Sequence, residues 1–380
     1  MKLAIVTETF PPEVNGVAMT FGVIARELGL RGHAITVYRP QRDDLSTTDF
    51  VPEYHEVPMP GMRIPGYPLL RLGLPARGRL MRAWRKDRPD LVHVVTEGPL
   101  GATAVSAARA LHVPVTSSFH TNFHAYTHNY GFSFLQPVVL GWLRRVHNRT
   151  SRTFAPTNEL CVELTRLGFA NMTLLSRGVD TACFSPFRRS DELRTSWGAG
   201  PEDPVVLHVG RMAAEKNYDL LFQCYAAMRA VNPRLRFVLA GDGPLRETMI
   251  QAHPECHFAG FYSRDEIGRY YASADIYIHA SLTETFGNVL TEAMASGLAV
   301  AGFDYAAARQ FIRQRENGLV VPVDQPAALV AAAVELARDE PLRSGLRRAA
   351  RTGFELQSWS HVIGRFESDL LAAAQGGTSK

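Results

Sequence analysis

The sequence VVLHVGR at residues 205–211 is a short apolar run that ends in a glycine and an arginine. A continuous apolar run of this length is typical of a strand that is buried on both faces of a parallel sheet. Similar runs recur through the second half of the chain, at 235–241, 256–261, 275–281, 298–303 and 319–323. Helical patterns alternate with them, so this half is predicted to be a doubly wound α/β domain.

The first half repeats this pattern and predicts a second domain of the same class. Predicted strands lie at 3–9, 33–38, 91–96, 113–119 and 153–157, with helical segments around 16–31, 99–111, 133–150 and 158–167. Between the two series, residues 185–204 are polar and rich in proline and glycine, which favours a linker. We therefore expect an N-terminal domain over 1–185 and a C-terminal domain over 186–355.

The last segment, 356–380, is predicted to be helical. Trp359, Ile363, Phe366 and Leu370 fall on one stripe of this helix, which is expected to return to the N-terminal domain. Ligands of open α/β sheets bind beyond the carboxyl ends of the strands. With two such sheets, the expected site is the cleft between them.

The composition excludes several classes of protein. The chain has 380 residues, of which 46% are hydrophobic and 21% charged, the usual mix for a soluble globular protein. No apolar stretch approaches the roughly 20 residues that span a bilayer. The start, MKLAIVTETFPPE, becomes acidic and proline-rich too early for a secretory signal. We expect a cytoplasmic protein, either free or associated peripherally with the inner face of the membrane.

The cysteines and lysines are sparse. Cys161, Cys183, Cys224 and Cys256 form no CxxC pair, so neither a metal site nor a disulfide framework is expected. The net charge is +4, and nearly all basic residues are arginines, because the lysines are limited to positions 2, 86, 216 and 380.

The strongest local motif is ETFGNVLTE at 284–292, directly after the predicted strand at 275–281. Glu284 precedes a predicted helix and Glu292 lies two turns into it, so the two carboxylates are separated by about 12 Å of helix rise. A helix that begins near Gly287 offers backbone N–H groups to an anion, while the carboxylates can accept hydrogen bonds from sugar hydroxyls. A helix charge and a solvated surface glutamate are the alternative interpretation.

A second motif, GRMAAEKN at 210–217, follows the strand at 205–211. Arg211 and Lys216 could converge on a diphosphate, the first as a planar fork and the second as a point charge. The alternative is a helix cap with a solvated helix charge.

Together these motifs resemble the retaining nucleotide-sugar glycosyltransferases of family 4, which have the GT-B fold. The resemblance extends to AGDGP at 240–244, ETFPPEVNGVA at 8–18, SSFHTNF at 117–123 and RGVD at 177–180. The first-half motifs are most similar to the diacylglycerol glycosyltransferases, the sulfoquinovosyldiacylglycerol synthases and the GDP-mannose-dependent mannosyltransferases. The resemblance implies two Rossmann-like domains, with the donor held mainly by the second and the acceptor by the first.

The same resemblance implies roles for individual residues. Arg211 and Lys216 would neutralise the donor diphosphate, Glu284 would hold the hydroxyls of the transferred sugar, and Glu292 the ribose. Gly287 and Asn288 would offer backbone amides. In the first half, Gly16 would let the backbone approach the diphosphate, and His120 would lie beside the sugar, although His124 and His128 are close in sequence. Residues 303–309 depart from the glycine-rich turn of many relatives. The resemblance therefore does not decide which sugar is transferred.

The predicted reaction is retaining transfer of a mannose- or glucose-type hexose from a UDP- or GDP-sugar to a hydroxyl, with a membrane lipid or glycolipid as the expected acceptor. A soluble saccharide acceptor and a nucleotide-sugar epimerase remain alternatives. No Asp-x-Asp motif occurs, so no metal or other cofactor is expected besides the nucleotide-sugar co-substrate. A nicotinamide dehydrogenase is disfavoured because the glycine motif at 241–246 lacks its third glycine.

The segment 63–88 is rich in basic residues. On a helical wheel, Leu80, Met81 and Trp84 cluster opposite four cations, as in a helix that lies on an anionic membrane. The alternative is a helix whose Trp84 side packs on the first sheet. No nucleic-acid reader motif is present, so nucleic acid is not an expected partner.

Overall fold

In the computed structural model the chain forms two compact units, Met1–Arg177 with Ser360–Lys380, and Gly178–Trp359. The structure describes all residues except 14, 42–50, 65–66, 121–135, 261–262, 283, 285, 355–356 and 377–380. Within the described ranges, no helix has both the length and the apolar character needed to cross a membrane.

The described residues form fifteen short strands. They are β1 Lys2–Val6, β2 Ala34–Pro40, β3 His55–Met59, β4 Gly61–Ile64, β5 Tyr67–Gly73, β6 Leu91–Val94, β7 Val115–Ser118, β8 Thr153–Ala155, β9 Met172–Leu174, β10 Val205–Val209, β11 Arg236–Ala240, β12 His257–Gly260, β13 Ile276–His279, β14 Ala299–Phe303 and β15 Leu319–Val321.

The described helices alternate with these strands. They are α1 Gly16–Leu30, α2 Arg77–Lys86, α3 Pro99–Ala110, α4 Gln136–His147, α5 Asn158–Arg166, α6 Asp191–Ser196, α7 Tyr218–Val231, α8 Arg246–Ala252, α9 Arg264–Ser273, α10 Asn288–Ala295, α11 Ala306–Phe311, α12 Pro326–Arg338, α13 Glu340–Thr352 and α14 Trp359–Gly376. Short 3₁₀ turns lie at Pro186–Arg188 and Ala214–Lys216.

The first unit is built on a seven-stranded sheet with the order β3-β2-β1-β6-β7-β8-β9. All neighbouring strands are parallel. Strands β4 and β5 form a separate antiparallel pair. The central strands carry the buried residues expected of a sheet that is covered on both faces.

The second unit contains a six-stranded parallel sheet with the order β12-β11-β10-β13-β14-β15. Alternate residues of β10 face opposite layers: Val206 belongs to one buried apolar cluster, and Val205 and Leu207 belong to the other. The strand order reverses between β10 and β13. The prediction of two doubly wound α/β domains is confirmed.

The tail helix α14 packs in the first unit through both apolar and charged contacts. Phe366 is buried and meets the ring of Phe154 edge-on, with 4.9 Å between centroids. Glu367 accepts a hydrogen bond from Arg31 at 2.7 Å and pairs with His33 at 2.6 Å. Burial raises the pKa of Glu367, but hydrogen bonds from His33 and Arg31 and their charge outweigh it, so the net pKa is lowered.

Four described strands of the first unit were not predicted from the sequence. Strand β3 contains Pro58, a residue that central strands exclude, and it is an edge strand of the sheet, where a missing N–H donor is tolerated. Strand β9 is only three residues long and forms the opposite edge. The β4–β5 pair contains arginines and a register shift, so its hydrophobic alternation is weak.

The segment 185–204, expected to be a linker, is folded into the second unit. It contains α6, and the guanidinium of Arg194 is buried beneath it with 2% of the side chain exposed. Arg194 donates to the carbonyl oxygens of Ser273, Gly200 and Asp203 at 2.8, 2.9 and 2.6 Å. The hydrogen bonds of this buried guanidinium therefore fix the fold of a segment whose composition suggested a linker.

Asp275, directly before β13, holds this segment in place. Its carboxylate pairs with Arg194 at 3.0 Å, Arg189 at 3.1 Å and Arg347 at 2.9 Å. It also accepts a hydrogen bond from the backbone of Val205 at 2.9 Å, which fixes the start of β10.

We predict that Asp275→Asn lowers the free energy of unfolding by about 3–5 kcal/mol, because it leaves buried guanidinium charge without its carboxylate. Urea denaturation followed by circular dichroism measures this loss. The control is Glu335→Gln, which breaks a more exposed pair with Arg315 and should leave the free energy of unfolding nearly unchanged. Equal losses in the two variants would contradict the assigned role of Asp275.

Candidate active site

The reversal of strand order between β10 and β13 marks the expected binding edge of the second sheet. Open α/β sheets bind ligands beyond the carboxyl ends of their strands at such a point. The chain leaves β10 at Val209 and continues through Arg211 and Lys216. It leaves β13 at His279 and continues to Glu284.

Lys216 and Glu284 meet at this edge. The ammonium of Lys216 donates a hydrogen bond to Oε1 of Glu284, and both side chains are mostly buried. Burial alone would raise the pKa of Glu284. The charge and hydrogen bond of Lys216, with smaller contributions from His279 and Ser281, outweigh burial and leave the pKa lowered. Glu284 is therefore ionised at neutral pH.

Two further hydrogen bonds tie the loops after β10 and β13 together. Asn217, in the left-handed conformation with φ of 56°, donates its side-chain amide to the carbonyl of Ala280 at 3.3 Å. Ser281 donates to the carbonyl of Glu215 at 3.3 Å. From the far side, the hydroxyl of Tyr305 donates to the backbone carbonyl of Glu284 at 2.8 Å. These three hydrogen bonds, each from a side chain to a backbone carbonyl, therefore hold the loops that carry Lys216 and Glu284.

Gly287 turns the chain into helix α10. Its φ of +98° is a conformation that residues with a side chain rarely adopt. A Cβ at this position would lie 3.7 Å from Nε2 of His279, so the imidazole is a close neighbour. Burial lowers the pKa of His279 to about 4, with Glu284 opposing and Lys216 adding to the effect, so the ring is neutral. Gly287 is the N-cap residue of α10, which begins at Asn288, and it has no side chain that could cap the helix.

Arg211 lies on an adjoining cleft. This cleft has a volume of about 770 Å³, and glycines make up much of its wall; it is lined by Val209, Gly210, Arg211, Ala240, Gly241, Asp242, Gly243, Gly260 and Ile267. The stem of Lys216 lies against the same wall, because a Cβ on Gly210 would be 3.7 Å from Cε of Lys216. Arg211 itself is exposed to solvent.

The glycines of AGDGP are required by close backbone contacts. A Cβ on Gly241 would lie 2.0 Å from the carbonyl oxygen of Gly210, and one on Gly243 would lie 2.4 Å from that of Met212. Both residues also have positive φ, at 142° and 158°. These glycines let the loops after β10 and β11 pack directly against each other and keep the cleft open.

Glu292 makes a different contact from Glu284. Its Oε2 accepts a hydrogen bond from the hydroxyl of the buried Tyr271 at 3.1 Å. Burial, and then the charge of Glu292, raises the pKa of Tyr271, so the phenol remains a donor. Tyr271 holds one oxygen of Glu292 in a defined orientation.

In the first unit, Gly16 begins α1 and lies against Arg177. Asn15 caps the helix, accepting from the backbone amides of Val17 at 3.1 Å and Ala18 at 2.9 Å. A Cβ on Gly16 would be 2.7 Å from Nη1 of Arg177. The guanidinium therefore occupies the space that any side chain at position 16 would need.

His120 ends the described part of its loop, immediately after β7. Its ring meets Phe21 edge-on at 5.6 Å, and within the described ranges neither ring nitrogen has a hydrogen-bond partner. Burial, and then the charge of Arg177, lowers the pKa of His120 to about 3. Its imidazole is therefore neutral. His124 and His128 lie outside the described residues.

The structure thus separates the predicted site residues into groups. Lys216, Glu284, Gly287 and Asn288 share one edge of the second sheet, with Arg211 on the adjoining cleft. Glu292 lies further along α10, while Gly16 and His120 belong to the first unit. Sequence reasoning missed Asn217, Arg177, His279 and Tyr305; of these, Asn217 and Arg177 stood inside motifs already noticed. Within the described part of the chain, no cluster of three or more His, Cys, Asp or Glu residues could hold a metal ion.

Glu8, in the loop after β1, is a titratable group that the sequence analysis did not single out. Its Oε1 accepts from the backbone amide of Leu100 at 3.2 Å, near the start of α3. Burial raises the pKa of Glu8 to about 7; the Leu100 hydrogen bond opposes this and Glu97 adds to it.

Because this folded-state pKa lies above the unfolded value, protonated Glu8 stabilises the fold at low pH, and this contribution is lost as the pH rises through about 7. We predict that Glu8→Gln is more stable than the parent protein at pH 8, and that the advantage shrinks towards pH 5. Thermal unfolding across this pH range measures it. Glu247→Gln, at an exposed position, should show no such trend; a pH-independent effect of Glu8→Gln would contradict the assignment.

Two family profiles cover most of the chain. The profile described as Glycosyltransferase Family 4 matches residues 14–182, and the one described as Glycosyl transferases group 1 matches residues 189–353.

Individual proteins match over most of their length. A GDP-mannose-dependent alpha-mannosyltransferase of Mycobacterium tuberculosis is 32% identical over 376 residues, covering 97% of this chain and 97% of that protein. An alpha-monoglucosyldiacylglycerol synthase of Acholeplasma laidlawii is 26% identical, covering 84% of each chain. The crystal structure of Anabaena HepE in complex with UDP has a TM-score of 0.77 at 18% identity, covering 98% of this chain and 100% of that one.

Proposed function

Because the chain belongs to the family 4 glycosyltransferases and has the GT-B fold, we propose that it transfers mannose from GDP-mannose to a hydroxyl of a membrane lipid, with retention of configuration. The donor is favoured by the whole-length similarity to a GDP-mannose-dependent enzyme. The lipid acceptor is favoured by the similarity to a diacylglycerol-glycosylating one. The epimerase alternative has no support among these relatives.

The observation that carries this proposal is the arrangement of Lys216, Glu284 and Gly287 at the reversal of strand order. A cation, a carboxylate and a helix start whose N-cap residue is a glycine lie side by side there. This combination matches a sugar diphosphate, because the phosphates need positive charge and the sugar hydroxyls need an ionised acceptor.

We assign the diphosphate to Lys216 and Arg211. An ammonium has three N–H donors, and the hydrogen bond to Glu284 uses one of them. Lys216 can therefore hold a phosphate oxygen while it remains paired. Arg211, exposed beside Gly210, supplies a planar fork from the adjoining cleft, whose volume of about 770 Å³ suits the nucleoside.

The carboxylates then bind hydroxyl groups. Glu284 is ionised and held by its backbone, so it can accept hydrogen bonds from the transferred sugar. Glu292 has one oxygen engaged by Tyr271, which directs the carboxylate towards a diol such as the ribose. The amides of Gly287 and Asn288 serve the sugar or phosphate from the helix start.

In the first unit, neutral His120 can donate or accept one hydrogen bond to a sugar hydroxyl. Arg177, packed on Gly16, adds positive charge beside the start of α1. These residues complete the proposed set of donor and catalytic groups.

The proposed reaction breaks the bond between the anomeric carbon and the diphosphate oxygen, and forms the bond to the acceptor oxygen on the same face of the sugar. The leaving diphosphate takes the acceptor proton. The catalytic contribution of the protein is then positioning and stabilisation of the charge that develops on the leaving group.

We predict that Lys216→Ala lowers kcat by about 10²–10³-fold, because it removes a preorganised donor to the leaving diphosphate. Steady-state kinetics of donor hydrolysis and of transfer to lipid measure this change. Lys86→Ala, which removes an exposed lysine of α2, is the matched control and should keep full activity. A loss below tenfold for Lys216→Ala would argue against its phosphate role.

We further predict that a hydrolysis screen of UDP- and GDP-sugars selects GDP-mannose, and that turnover survives EDTA because Lys216 and Arg211 replace a metal. Mass spectrometry after incubation with crude lipid should then show a mannosylated lipid. Selection of a UDP-sugar would overturn the donor assignment, a soluble saccharide product would overturn the acceptor, and loss of turnover restored by Mg²⁺ or Mn²⁺ would overturn metal independence.

A further inference from the structure

Helix α2, within the basic segment 63–88, does not offer an apolar surface. Leu80 and Trp84 are buried in the core of the first unit, with 0% and 1% of each residue exposed. This is the alternative that the sequence left open: the tryptophan side packs inward, and the exposed side chains of α2 are its arginines and Lys86. If this protein inserts side chains into a membrane interface, another element must supply them.

Helix α4 has such side chains. Val138, Val139 and Trp142 are 68%, 46% and 41% exposed, an unusual group of large apolar residues on one short helix. Leu140 and Leu143 face the other way and pack in the apolar cluster beneath the helix. The exposed residues are therefore not needed to attach α4 to its own domain.

The exposed stripe continues into a basic one. At 100° per residue, Arg145 falls in line with Val138 and Trp142, and Arg149 follows in the turn directly after the helix; both arginines are exposed. A groove of about 500 Å³ runs beside them, lined by Gly141, Arg144, Arg145, Asn148 and Arg149. The sequence contains no Asp or Glu between Glu97 and Glu159, so this stretch carries no acidic charge of its own.

We propose that this α4 surface, formed by Val138, Val139, Trp142, Arg145 and Arg149, docks the enzyme on an anionic phospholipid bilayer. Tryptophan and valine enter the interfacial layer, while the arginines contact lipid phosphates. A symmetric contact between two copies of the chain is disfavoured, because it would bring two stripes of arginines together without a carboxylate to balance them. Docking on a bilayer would bring the enzyme to its acceptor, so the biological purpose of this surface rests on the proposed lipid acceptor.

Co-sedimentation of the full chain with vesicles tests the surface. We expect binding to phosphatidylglycerol–phosphatidylcholine vesicles, weakened by salt, and little binding to phosphatidylcholine alone. Arg145→Ala and Arg149→Ala should each lower the partition coefficient about fivefold, the equivalent of about 1 kcal/mol per charge. Trp142→Ala should lower it as well. The matched controls are the single variants Arg82→Ala and Arg85→Ala on α2, each of which removes one exposed charge, as each arginine variant of α4 does, and should have a smaller effect.

Tryptophan fluorescence provides a readout of where the contact lies. Of the four tryptophans, Trp84 and Trp197 are buried, at 1% and 5% exposure, and Trp359 is half-buried, whereas Trp142 is open to solvent. Anionic vesicles should shift the emission to shorter wavelength, and brominated lipid should quench it. Both changes should disappear in Trp142→Phe, a variant that retains an aromatic anchor and should still sediment.

The outcomes separate this inference from the proposed function. Donor hydrolysis in solution should be unchanged in the α4 variants. If the parent protein hydrolyses no donor, the proposed function fails, and the vesicle-binding results still decide whether the α4 surface binds membranes. The inference is overturned if the parent protein ignores anionic vesicles, or if the α2 control loses binding and the α4 variants do not. It is also overturned if sedimentation velocity shows that Trp142→Ala dissociates a dimer, since a second copy would then be the occupant.

Discussion

The second domain depends on the side-by-side placement of β10 and β13 at the reversal of strand order. Parallel strands send all their carboxyl ends to one edge of the sheet, and this reversal brings two loops from distant parts of the chain together. Lys216 and Glu284 are separated by 68 residues and yet share a hydrogen bond. The charge and hydrogen bond of Lys216 help to keep Glu284 ionised despite its burial. The neighbouring contacts of Asn217, Ser281 and Tyr305 hold the pair in place.

Strand β13 shows how one element can serve stability at one end and chemistry at the other. At its amino end, Asp275 gathers three arginines and fixes the segment that leads into β10. At its carboxyl end, the chain passes through neutral His279 to Glu284. The amino-terminal cluster is saturated by internal partners, whereas the pair at the carboxyl end retains donors for a ligand. In this protein the structural cluster and the proposed binding site are both charged. They differ in whether internal partners already use all of their hydrogen-bonding groups.

The many arginines have distinct physical roles that composition does not reveal. Arg194 is a buried donor to backbone carbonyls, and Arg177 fills the space above Gly16. Arg145 and Arg149 are exposed beside apolar side chains on α4. Only burial and the identity of the neighbouring groups separate these roles, because the guanidinium itself is the same charged fork in each.

Sequence alone determined the α/β class, most central strands and the motifs around Lys216 and Glu284, because buried parallel strands are continuous apolar runs and glycine-bearing loops must follow them. It missed the edge strand β3, where Pro58 is tolerated only because one side of the strand is unpaired. Tertiary structure decided that residues 185–204 are packed, since Arg194 finds its carbonyl partners only after folding. It also decided that Trp84 is buried and Trp142 exposed: both lie on amphipathic helices, and a helical pattern shows which residues share a face but not whether that face is covered.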